Sequence, residues 1–156
     1  MRRVTAILSV AVVLMAADLV AQAKPSFAGE WKMVVADGQG VPGVDLVITQ
    51  DATSMTVDYV RGPAPAPAKL IYNLDGSASK NMVAGRGGGA PTGQASRAMW
   101  AGNDLVVTTT TGKGDEKRTF SLDGGYLVVE TSAPGAGGAP NITKATYKKY
   151  ERGFGG

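Results

Sequence analysis

The first question for any site is which side chains are able to do chemistry, and here two are missing. The chain contains no histidine and no cysteine. That removes Ser-His-Asp triads, the usual zinc sites, His-ligated haem and an imidazole base working near neutral pH. It also removes thiol chemistry and disulfides. Carboxylates, lysines and tyrosines remain, but the Asp and Glu residues fall mostly in turns. No two of them form the facing pair that general acid–base work needs. The stretch Gly85-Arg86-Gly87-Gly88-Gly89-Ala90-Pro91 is rich enough in glycine to suggest a phosphate cradle. Such a cradle needs a strand before it, a helix after it and a Lys-Ser/Thr pair, and none is present. The expectation is therefore a non-enzymatic protein with no metal and no cofactor. The side chains left to do something specific are Met33, Met55, Tyr59, Tyr72, Met82, Trp100 and Phe120. Tyrosine offers an apolar ring and one hydroxyl, which suits the orienting of a small ligand. Methionine adapts to irregular apolar shapes.

These residues sit in a chain that begins like an exported one. Arg2 and Arg3 precede an apolar run from Val4 to Ala17, and Ala21-Gln22-Ala23 has the small-x-small form of a cleavage site. This is the layout of a signal peptide over 1–23, leaving 24–156 as a single domain. The apolar run is short for a membrane span, which takes about 20 residues, and Asp18 sits near its end. The expectation is a periplasmic or extracellular protein with no membrane span once the leader is removed. The whole chain has 16 basic and 13 acidic residues. The dense group Lys144, Lys148, Lys149 and Arg152 includes Glu151 and reads as a solvated strand, not as a nucleic-acid surface.

From residue 27 onward the sequence reads as strands and turns. Short runs rich in Val, Thr, Tyr and Leu are bounded by Asp, Gly, Asn and Ser. Nine are predicted: 27–35, 44–50, 55–60, 69–74, 94–100, 104–111, 117–122, 126–132 and 145–150. No stretch keeps a helical period. Tight turns at 50–54, 101–103 and 123–125 make consecutive strands antiparallel neighbours. The fold class that follows is all-β: an up-and-down meander of about eight or nine strands closed into a barrel, since an open sheet would leave two bare edges. Segments 62–68, 76–93 and 133–140 are expected as surface loops, and Met82 would lie in the second of them. Alternation along each strand collects Trp31 with Met33, Met55 with Val57 and Tyr59, Leu70 with Tyr72, Ala98 with Trp100, and Phe120 with Leu122. Two readings of this inward set stand side by side: a solid core, or the lining of a cavity for a small apolar or amphipathic molecule.

Phe27-Ala28-Gly29-Glu30-Trp31 resembles the G-x-W start of lipocalin-like (calycin) barrels. Trp100 to Val107 and Leu122 to Val129 resemble hairpins of secreted bacterial lipocalin-like proteins. The resemblance implies a barrel with Trp31 plugging one end under a cation from a late strand, for which Arg152 or Lys148 is the expected source. It also implies binding of a small hydrophobic ligand. The chain departs from the pattern in having no disulfide and no helix after the last strand. Fatty-acid-binding barrels insert two helices after the first strand, where only 37–43 intervenes here. The Ala-Gly-x-Trp start equally resembles small barrel-shaped protease inhibitors of the periplasm. In that alternative Lys24-Pro25-Ser26 would be the reactive end.

Overall fold

The computed structural model describes residues 23–34, 45–60, 69–83 and 89–151. Residues 1–22, which hold most of the expected leader, and Arg86 and Arg152 lie outside these residues. The described chain forms ten strands: β1 (Gly29–Met33), β2 (Leu46–Gln50), β3 (Ser54–Tyr59), β4 (Lys69–Asn73), β5 (Ala78–Val83), β6 (Thr92–Ala101), β7 (Asp104–Thr111), β8 (Gly114–Asp123), β9 (Tyr126–Pro134) and β10 (Pro140–Lys149). The only helical piece among them is a single 3-10 turn at Ala136–Gly138. Every strand pairs antiparallel with its chain neighbour except β4 with β5, and β10 returns to pair with β1. The result is a nearly closed up-and-down barrel.

Ten strands replace the nine expected because β5 forms inside the segment read as a loop. Ala-Ser-Lys-Asn-Met-Val is a poor strand sequence by propensity. Tertiary pairing overrides that, since all six residues of β5 pair with β6 from Ala78↔Arg97 to Val83↔Thr92. The 133–140 loop is shorter than expected, since β9 runs to Pro134 and β10 starts at Pro140, with a 3-10 turn at Ala136–Gly138 between them.

The barrel's one gap is closed by a side chain. β4 and β5 are the two ends of the sheet order. Asn81 on β5 is 4% exposed. Its Oδ1 accepts from the Ile71 backbone N–H at 2.7 Å, and its Nδ2 donates to the Ile71 carbonyl at 3.0 Å. One amide side chain thus replaces a ladder rung between the strands.

The turns at the opposite end from the long loops follow the expected chemistry. Gly124 and Gly125, at φ +55° and +86°, supply the paired left-handed conformation of a two-residue hairpin between β8 and β9. Asp51, between β2 and β3, accepts from the Thr53 and Ser54 backbone N–H groups at 2.7 and 2.8 Å and from both of their hydroxyls. Those bonds, Thr53's first, hold its carboxyl down at about 2.

Two measurements check this account. Asn81→Leu would leave the Ile71 N–H and C=O unpaired, costing about 1–3 kcal/mol and selectively speeding hydrogen exchange at Ile71. Uniform exchange across all strands would show that the seam is not held there. For Asp51 the depressed value makes its contribution complete above the ordinary 3.8, and it is lost as pH falls toward about 2. The melting-temperature gap between wild type and Asp51→Ala should therefore close over that window. A gap independent of pH would show that the carboxylate is not the stabilising form.

Candidate functional site

The lower lumen is a packed core. Phe27, Met55, Val57, Leu105, Val107, Phe120 and Leu127 are fully buried, and Tyr72 is 1% exposed. Phe27 lies just ahead of β1, where the entering chain crosses the barrel floor. Its ring stacks on Trp100 at 5.9 Å between centroids and tilts against Phe120 at 6.2 Å, and Phe120 in turn meets Tyr72 at 6.5 Å. The entering segment is strapped in place. The Gln50 amide accepts from the Phe27 N–H at 2.8 Å and donates to the Pro25 carbonyl at 3.1 Å. Lys24 donates to the Gly102 carbonyl at 2.9 Å, with its Nζ over the Trp100 ring.

Trp31 belongs to this floor. It is 3% exposed, and its indole N–H donates to the Phe27 carbonyl at 2.9 Å. The cation over its ring is Lys149, with Nζ 5.8 Å from the centroid. Lys148, one of the two expected donors, alternates to the outer face opposite Lys32, because only every second residue of β10 points toward Trp31. Gly29 has φ +145°, and a Cβ there would stand 2.8 Å from Lys149 Cε. The glycine of the G-x-W stretch is thus what lets Lys149 lie across the strand.

Above the aromatic core the lumen turns polar. Along β8 the inward residues change from Phe120, fully buried, to Arg118 and then Glu116, whose side chains are 27% and 23% exposed. Arg118 reaches across the barrel and donates through Nη1 to the Tyr59 hydroxyl on β3 at 3.1 Å. In the strand order β3 and β8 lie half a circuit apart, so this bond spans the lumen. The other terminal nitrogen, Nη2, is 2.8 Å from Glu116 Oε1. Burial opposes the guanidinium's charge, but Tyr59, Tyr72 and Glu116 around it raise its pKa above the ordinary value, so it stays charged. Burial pushes the Tyr72 hydroxyl well up and that of Tyr147 up to about 12, so both are neutral donors at neutral pH. Ser96 and Thr109 share a hydroxyl–hydroxyl bond of 2.8 Å nearby in the ladder of β6 and β7. No buried side-chain polar atom among the described residues lacks a partner.

The residues singled out in the sequence are thus divided. Tyr59 lies at the polar strut, half-buried, and Met33 is partly buried against the core. Met55, Tyr72 and Phe120 are core residues, and Trp100 is half-buried at the floor. Met82 is a correction. Asn81 points inward, so Met82 points out and is 63% exposed. Leu122, expected inward, is 42% exposed beyond the last buried layer of β8. Sequence reasoning passed over Arg118 and Glu116. The signal for them was present, since both share a strand face with Phe120 at two-residue spacing.

No protein-family model matches the sequence, and no curated protein matches it. Solved structures do. The fluorescent protein UnaG matches with a TM-score of 0.59 at 19% identity, over 80% of this chain and 97% of that one. Zebrafish ileal bile acid-binding protein, solved in complex with cholic acid, matches with a TM-score of 0.59 at 20% identity, over 80% and 98%. The likeness is one of fold, an antiparallel up-and-down barrel. Among the described residues no helix is long and apolar enough to cross a membrane, and no His, Cys, Asp and Glu group is placed to hold a metal ion.

Trp31→Ala should cost about 3–5 kcal/mol in denaturant unfolding, as large-to-small core changes of this size do. A loss below about 1 kcal/mol, the scale of a surface substitution, would mean that Trp31 does not hold the floor.

Proposed function

We propose that this chain is an exported, non-enzymatic barrel that binds a small amphipathic molecule in its upper lumen. The observation that carries the reading is the Arg118–Tyr59 strut. A charged guanidinium costs free energy to desolvate, and a barrel of this size can be filled by apolar side chains alone. Here the lower half is filled in that way, while the upper half keeps Arg118, Glu116 and Tyr59 partly open to solvent. An apolar floor below convergent polar groups is the layout of a small-molecule site. The similarity in fold to a protein solved with cholic acid supports a small amphipathic ligand. Export rests on the leader-like pattern over 1–23.

The protease-inhibitor alternative needs Lys24-Pro25-Ser26 to act as a free arm. In this structure Lys24 and Pro25 are tied to Gly102 and Gln50, and Phe27 is buried in the floor. That tethering favours the ligand-binding reading.

The test is native mass spectrometry of protein isolated from its own host, paired with titration of the neutral dye Nile red. The expected outcome is a retained small molecule that is lost on denaturation, and saturable dye fluorescence in the stripped protein. A stripped, folded protein that neither retains a ligand nor enhances the dye would sink the proposal.

A further inference from the structure

Building on the ligand-binding reading, we infer that the upper lumen selects uncharged amphiphiles, bearing hydroxyl, carbonyl or amide groups, over carboxylates, and that Glu116 sets this preference. A lone arginine inside a barrel would invite an anionic head group through charge-assisted hydrogen bonds. This arginine is not alone. Its Nη2 is already paired with Glu116 at 2.8 Å, and its Nη1 with Tyr59 at 3.1 Å. The two residues stand at two-residue spacing on β8 and so face the same lumen.

The charge balance around the site points the same way. The inward positions of β3 to β7, from Met55 to Thr111, carry no ionisable acid or base apart from tyrosine, and those of β9, from Leu127 to Ala133, carry none. On β10 the basic Lys149 belongs to the floor over Trp31. Among the described inward residues, one cation, Arg118, and its paired anion, Glu116, remain around the strut. Asp45, just before β2, adds negative charge near Tyr147. A carboxylate entering here would have to displace Glu116 from Arg118, leaving a half-buried acid without its partner, or sit beside it as a like charge. A hydroxyl or carbonyl faces neither cost. It can use the guanidinium N–H groups that remain and the hydroxyls of Tyr59, Tyr72 and Tyr147.

The experiment is displacement of Nile red by dodecanol and by dodecanoate, which share one chain length, at a pH well above the carboxylate range. Wild type, Glu116→Gln and Glu116→Ser are compared, with melting curves to show that each is folded. Wild type should bind dodecanol at least about tenfold more tightly than dodecanoate, the scale of one unfavourable charge contact in a partly buried site. Either substitution should strengthen dodecanoate binding relative to dodecanol by about tenfold. The change in ratio is the decisive readout, because any apolar lumen favours the neutral chain to some degree. A wild-type preference for dodecanoate, or a ratio that Glu116 substitutions do not move, overturns this inference while the barrel still binds. If neither compound displaces the dye, the ligand-binding reading falls and this inference falls with it.

Discussion

A sheet that closes on itself has to satisfy its last two edges, and in this barrel those edges meet without a backbone ladder. The amide of Asn81 supplies the missing rung, giving one donor and one acceptor to Ile71. Everything inside depends on that closure, because the lumen exists only while β4 and β5 stay together. The floor is secured by the same device. Gln50 offers its amide to Phe27 and Pro25 and so fixes the entering chain beneath the core. Two side-chain amides therefore act as pieces of backbone at the places where the strand pattern runs out. A buried amide is costly unless each of its polar atoms is paired, which explains why both make two bonds.

With the floor and the seam closed, the interior divides by height. The lower part is filled by Phe27, Phe120, the ring of Tyr72 and the aliphatic residues around them, which stabilise the barrel. The upper part is bridged across its width by Arg118 and Tyr59, which stand on opposite walls. The solid-core reading holds for the lower layers, while the layers above them are lined by charged and hydroxyl groups.

Much of this was legible in the residues. The alternation of Val, Leu and Thr with polar residues marked most of the strands, and the Asp, Gly and Asn turns made them antiparallel neighbours, because those signals are local. β5 was missed because Ser79 and Asn81 face inward. Buried polar residues erase the apolar alternation by which a strand is recognised, and only pairing across β6 and with Ile71 makes their burial tolerable. Met82 was misplaced for the same reason, since once Asn81 faces in, its neighbour must face out. Lys149, and not the neighbouring Lys148, covers Trp31 because the register between β1 and β10 decides which face of β10 turns to the floor.

The absence of histidine and cysteine, the all-β pattern and the closing of the meander followed from the sequence alone, since composition and short-range periodicity are properties of the chain itself. Arg118 and Tyr59 lie 59 residues apart. Their meeting depends on barrel circumference, strand order and register together, and none of these is encoded in a local window. The same holds for Glu116, whose spacing from Arg118 is visible in the sequence. Only the closed barrel turns that shared face toward a lumen, where what would be a surface ion pair of little consequence becomes a paired charge inside the barrel.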